Sequence, residues 1–192
     1  MKNRLIAAFG NDLLEHKENI NYPQIHVIDL SRITNSGQGI EVRDTKPEDI
    51  ATLLIKNPNL NISATFFKPQ CFKDDATGKE PDNCEGVFYL SGSTDKTWIL
   101  FLEIKDCDST NVSVYFKKAK KQIVRTVQLF RDKNIIAPDK RVYANISFPR
   151  REKVDYFNHL IKHPEKKEFL DKYKIFMRGT NQLVIKNNTT ID

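Results

Sequence analysis

Cysteine is scarce in this chain: Cys71, Cys84 and Cys107 are the only three among 192 residues. None stands in a CxxC pair and the count is odd, so the sequence offers neither a zinc knuckle nor a disulfide framework. The four histidines, His16, His26, His159 and His163, show no metal-ligand spacing and are read as structural or solvent-facing. Long apolar runs are missing as well. Met1 to Arg4 is basic, but Leu5 to Phe9 behind it is too short for a signal-peptide core, and no run reaches membrane-spanning length. These absences predict a reducing, cytoplasmic setting with no membrane partner, in which the Asn-x-Ser/Thr triplets at Asn61, Asn111 and Asn145 are incidental. No internal repeat, low-complexity block, helix-turn-helix or zinc element is present, so nothing announces readout of a nucleic-acid sequence.

What the chain does have is enough apolar material for one core. With 39% hydrophobic and 29% charged residues over 192 positions, a single domain spanning 1–192 is expected. The formal charge of +6 points to an anionic partner, although lysine excess also occurs on inert surfaces.

The organising stretch is Cys84 to Leu90, a polar loop from Ser91 to Thr97, and Trp98 to Lys105. Continuous apolar character from Trp98 to Leu102 predicts a strand buried on both faces, ending in two charges. Alternation puts Glu103 and Lys105 on one face with Ile99 and Phe101, and Leu100, Leu102 and Ile104 on the other. An antiparallel hairpin pairing Leu90 with Trp98 sets Phe88 opposite Leu100 and Glu85 opposite Glu103. Directly opposed carboxylates, their Cβ atoms about 5 Å apart, repel. Protonation, the neighbouring lysine or a bound cation must offset that cost, and such an oxygen-rich pair suits a hard dication such as Mg2+.

Around the hairpin, apolar spacing predicts a helix over Lys2 to Lys17, with Glu15 and Glu18 at its end as lesser acidic candidates. Ile25 to Leu30 and Ile40 to Arg43 read as strands, and Thr45 to Glu48 has capping-box spacing that predicts a helix over Glu48 to Lys56. Asn61 to Phe67 alternates as a strand, followed by a loop from Lys68 to Asn83 that carries Asp74, Asp75 and Asp82. Val114 to Lys133 has Phe116, Ala119, Ile123, Val127 and Phe130 at helical spacing, with a basic exposed side. Arg141 to Phe148 is a further strand, and the strand–helix–strand order predicts a crossover to a parallel neighbour. Arg151 to His163 and Pro164 to Tyr173 read as helices, Tyr173 to Met177 and Gln182 to Lys186 as a terminal hairpin, and Asn187 to Asp192 as a frayed end.

The acidic residue opening one hairpin strand, Glu103-Ile-Lys105 closing its partner, then Lys118-Ala-Lys-Lys-Gln122 and the strand Arg141 to Phe148, resemble the PD-(D/E)XK nuclease superfamily. The resemblance spans about residues 61–149. It implies an α/β fold with a central mixed β-sheet flanked by helices, the restriction-endonuclease-like core. It also implies a Mg2+-dependent hydrolase cutting DNA phosphodiester bonds, with Mn2+ as substitute. On that pattern Glu103 and a hairpin acid bind metal, Lys105 orients or activates the attacking water, and Gln122 is auxiliary. The family usually has aspartate, often after proline, at the hairpin acid. Here Pro81-Asp82 has the letters, whereas Glu85 has the register; Glu85 is preferred, and Asp82 remains a rival that needs a bulge.

Clustered cations extend the expectation to nucleic-acid contacts by Lys118, Lys121, Arg125, Arg150 and Arg151, most simply to double-stranded DNA, with a homodimer as a natural arrangement for a double-strand cutter. Two other readings stand beside the nuclease. One is a non-catalytic nucleic-acid-binding module that keeps the fold, and the other a protein-interaction subunit.

Overall fold

Alternating and continuous apolar runs build the middle of the molecule. The computed structural model describes residues 1–30, 39–68, 70–73, 82–105, 112–151 and 161–192. The strands β6 (Gly86–Leu90) and β7 (Ile99–Ile104) are buried at every position. They pair antiparallel with Phe88 opposite Leu100 and Gly86 opposite Leu102, the register that the sequence predicts. On the far side of β6 lies β5 (Ile62–Phe67), antiparallel, and Gly86 makes that approach possible. A Cβ there would stand 2.6 Å from the Phe66 ring and 2.8 Å from the Thr65 carbonyl oxygen.

The helix α2 (Val112–Asp132) crosses over from β7 to β8 (Val142–Ser147), which pairs parallel to β7 as expected. With β1 (Leu14–Ile20) and β9 (Ile175–Gly179) at the edges, the mixed sheet runs β1-β5-β6-β7-β8-β9. One face carries α1 (Lys2–Phe9) and α2 over a core that includes Leu5, Phe9, Val87, Phe101, Phe116, Val127 and Phe130. The opposite face is covered by a second sheet, a departure from the expectation of helices on both sides. Its strands are β2 (Gln24–Asp29), β3 (Ile40–Arg43), β4 (Leu53–Lys56) and β10 (Gln182–Val184), in the order β10-β4-β2-β3. Ile25, Val27, Leu53, Ile55 and Leu183 pack there against Ala64, Phe66, Phe88, Leu100 and Leu102.

Several expected elements change type because pairing across the chain outweighs local spacing. The amino-terminal helix stops at Phe9, before Gly10 at φ +81°, and Leu14 to Ile20 pairs with β5 instead of continuing the helix. The segment expected as a helix from Glu48 to Lys56 yields β4, which buries Leu53 and Ile55 between antiparallel β2 and parallel β10. No terminal hairpin forms, since β9 joins β8 while β10 crosses to the second sheet. Nor is the carboxyl terminus frayed. Ile191 is buried, and Trp98 Nε1 donates to the Asn187 carbonyl at 3.0 Å.

The expected helix from Arg151 to His163 falls largely outside the described residues; α3 (His163–Tyr173) follows it, with Pro164 in its first turn. Among the described residues no helix is long and apolar enough to cross a membrane.

Candidate active site

Alternation along β7 turns Glu103 toward the helix layer beside Phe101, and the end of the strand is fastened by Lys105 N–H donating to the Ser147 carbonyl at 3.0 Å. Glu85 stands just before β6. Its N–H donates both to the Leu102 carbonyl at 3.1 Å and to Glu103 Oε2 at 3.2 Å. The hairpin register thereby brings the two acids together. Lys105 Nζ donates to Glu85 Oε1 at 2.5 Å and lies 3.1 Å from Glu103 Oε1.

Exposure is unequal within this triad. The Glu103 side chain is fully buried, whereas those of Glu85 and Lys105 are 26% and 27% exposed, so the cluster opens to solvent on one side only. One ammonium serves two carboxyl groups, and ionisation of both would leave one negative charge in excess. The cost falls on the deepest group, because withdrawing a carboxylate from water costs several kcal/mol that only well-formed partners return. Burial, followed by the Glu85 charge, pushes the Glu103 carboxyl above its ordinary range, and Lys105 only partly opposes this. Burial likewise disfavours the Lys105 ammonium, but Glu103 and Glu85 together outweigh it and hold that group protonated. Glu103 Oε1 nevertheless makes no hydrogen bond among the described residues, its contact with Nζ lying outside hydrogen-bond geometry.

Helix α2 supplies the wall. Gln122 Nε2 donates to the Asn83 carbonyl at 2.7 Å, and Thr126 Oγ1 accepts the Cys84 N–H at 3.0 Å while donating to the Gln122 carbonyl. These bonds moor the segment leading into Glu85. Gln122 Oε1 is a second buried oxygen with no hydrogen-bond partner among the described residues. Burial pushes the fully enclosed Cys84 thiol up, which leaves it unreactive.

The predicted site residues divide accordingly. Glu85, Glu103 and Lys105 touch one another, and Gln122 reaches them through the backbone of the 83–85 segment. Asp82 does not join the triad; its carboxylate pairs with Lys118 at 2.9 Å. Lys118, Lys121 and Arg125 are exposed on α2, and Arg150 is exposed beyond β8. Arg151 is half-buried, its carbonyl accepting from Asn181 Nδ2 at 2.6 Å. Glu15 and Glu18 pair with Lys17 and Lys2, at the far edge of the sheet from β7. His16 and His26 bond to Thr65 and Thr52 hydroxyls, in keeping with structural roles.

Asn83 and Thr126 escaped the sequence reading, although the i, i+4 spacing of Gln122 and Thr126 on a predicted helix was a usable signal. Nothing local marked Asn181, whose amide clamps the turn after β8.

The chain matches no family model, no curated protein and no solved structure. The chemistry of the donors therefore has to speak for itself. Among the described residues no three His, Cys, Asp or Glu side chains gather in a way that could enclose a metal. Magnesium does not require such a cage. It is typically bound by one or two carboxylates plus waters and substrate phosphate, a demand that Glu85 and Glu103 fit, with Glu103 Oε1 making no hydrogen bond among the described residues beside its ion pair with Lys105.

Proposed function

We propose that this protein is a Mg2+-dependent nuclease that hydrolyses DNA phosphodiester bonds, an endonuclease of restriction-like type. The observation that carries the reading is Glu103, a fully buried carboxylate at the margin of an apolar sheet with one oxygen lacking a hydrogen bond, faced by a second carboxylate and a lysine. Such a group is costly to retain for stability alone. The order of three antiparallel strands, a crossover helix and a parallel strand supports the PD-(D/E)XK resemblance.

A bound Mg2+ or Mn2+ supplies polarisation of water and of the phosphoryl oxygens. Glu85 and Glu103 would hold it. Lys105 is placed to orient the attacking water and to offset charge developing on the phosphoryl group. Gln122 fixes the approach of Glu85 through Asn83, and its free carbonyl oxygen can accept a hydrogen bond from a water in the site. Lys118, Lys121, Arg125, Arg150 and Arg151 would contact backbone phosphates.

A second reading, a non-catalytic nucleic-acid-binding module, is favoured by one fact: Lys105 already contacts both carboxylates, so the triad can persist as a structural ion cluster. Nicking of supercoiled plasmid in Mg2+ or Mn2+ separates the two. The nuclease reading expects cleavage that stops on chelation and falls at least about a hundredfold in Glu103→Gln and in Lys105→Ala, the scale of removing one group that stabilises a transition state. Salt-sensitive DNA binding without cleavage in either metal supports the module. Absence of both overturns the two together.

A further inference from the structure

The oxygens that a dication would use are the ones that Lys105 touches. Glu103 Oε2 accepts the Glu85 N–H at 3.2 Å, which leaves Oε1 as the oxygen of that carboxyl with no hydrogen bond among the described residues. Lys105 Nζ stands 3.1 Å from it and donates to Glu85 Oε1 at 2.5 Å. A single ammonium therefore covers one oxygen of each acid. Its own side chain is 27% exposed, whereas that of Glu103 is fully buried, so the ammonium has a solvent side to withdraw to and the deep acid has none.

Charge counting then links metal to phosphate. With both acids ionised, the ammonium in place and a dication bound, the cluster would hold one positive charge in excess. Such an excess beside a fully buried carboxyl is costly, because little water is at hand to screen it. The single negative charge of a phosphodiester cancels it. Phosphate oxygens also offer the ammonium charge-assisted hydrogen bonds to replace those that it gives up on the carboxylates.

We propose that Lys105 competes with the metal for Glu85 and Glu103 and releases them to it when a DNA phosphate arrives, so that the metal and the DNA backbone bind cooperatively. The proposal rests on the nuclease reading and adds an order to it: the protein alone binds the metal weakly, and the protein with DNA binds it tightly. Each ligand strengthens the other by the same factor. A lysine that only orients water makes no such demand. The two roles part in the sign of one effect, since removing a competitor tightens metal binding even as cleavage is lost. A proton on Glu103 also gains from the missing ammonium, but it carries half the charge of a dication and gains less.

The test is a Mn2+ titration of the full chain at one fixed pH, with free ion counted by its electron paramagnetic resonance signal. Wild type, Lys105→Ala and Glu103→Gln are each measured with and without a short DNA duplex, after subtraction of ions held by the duplex alone and with electrophoresis confirming that it is uncut. The expected result for wild type is Mn2+ binding at least about tenfold tighter with DNA than without it, within the usual range of coupling between sites. Lys105→Ala without DNA should bind Mn2+ at least about tenfold tighter than wild type does, and gain less than about threefold from DNA. Glu103→Gln should lose the site. Should Lys105→Ala fail to fold by its melting curve, Lys105→Met keeps the stem without the charge and carries the same expectation.

Equal Mn2+ affinity in wild type and the Lys105 variant, or no gain from DNA in wild type, overturns the proposal. Plasmid cleavage measured in parallel keeps the two ideas separate. Either of those results alongside Glu103-dependent binding and cleavage removes the competition alone, while tightening in the Lys105 variant and coupling to DNA without any cleavage remove the nuclease reading alone. Absence of Glu103-dependent Mn2+ binding with and without DNA overturns both.

Discussion

Two polar clusters stand at the same end of β7 and β8, on opposite faces of the sheet. Toward the second sheet, the half-buried Asn181 uses its whole amide: Oδ1 accepts from Ser147 Oγ at 2.8 Å and Phe148 N at 3.0 Å, and Nδ2 donates to Phe148 O at 2.8 Å and Arg151 O at 2.6 Å. Toward the helices, Glu103 and Gln122 are more deeply buried, yet each keeps an oxygen with no hydrogen bond among the described residues. A cluster whose bonding capacity is filled holds structure in place. One that buries charge and leaves acceptors open costs stability unless something else, a cation or a substrate, completes it.

The contrast breaks most visibly in activity. Lys105→Ala and Glu103→Gln should each lower metal-dependent cleavage at least about a hundredfold while leaving a folded protein, as circular dichroism can check. Asn181→Ala should do the opposite. It strands several partners and should cost about 2–3 kcal/mol in urea unfolding, the scale of unsatisfied polar groups.

Stability against pH sharpens the difference further. Because the folded-state pKa of Glu103 lies above its ordinary value, the native chain binds that proton more tightly than the unfolded chain does. The stability contributed by protonated Glu103 is full below the ordinary glutamate range and is lost as pH rises toward the elevated value. Glu103→Gln should therefore be more stable than wild type in urea unfolding near pH 8, by about 1–2 kcal/mol, and nearly equal to it at pH 5. An unchanged difference across that range would mean that Glu103 is comfortably ionised and the contrast between the clusters is false.

A smaller effect concerns the basic stripe. Lys118→Ala should reduce the slope of log affinity against log salt by about 1 if Lys118 neutralises a phosphate, and leave it unchanged if that lysine serves only Asp82.

The triad was legible in the sequence because it depends on two local regularities, the parity of side chains along β7 and a short hairpin whose register follows from pairing Leu90 with Trp98. The crossover to β8 was legible for a similar reason, since α2 is long and strongly periodic. What escaped was non-local. The second sheet consists of strands three to six residues long, and β10 pairs with β4 from far along the chain, so neither carries its partner's address in its own spacing. The capping-box letters at Thr45 to Glu48 misled because the following Leu53 to Lys56 gains more by lying between two strands than by starting a helix. Asp82 follows a proline, as the expected hairpin acid does in the resemblance, but its carboxylate pairs with Lys118 at 2.9 Å. The open oxygens of Glu103 and Gln122 depend on three-dimensional packing and leave no trace in sequence.

A crystal of the full chain soaked in Mn2+ and measured for anomalous scattering asks whether the two acids hold a metal. A metal-binding triad predicts a peak between Glu85 and Glu103, with Glu103 Oε1 within about 2.3 Å of the ion and Lys105 displaced from at least one of its two carboxylate contacts. A saturating soak that leaves no peak there and Lys105 still bonded to both acids would contradict it.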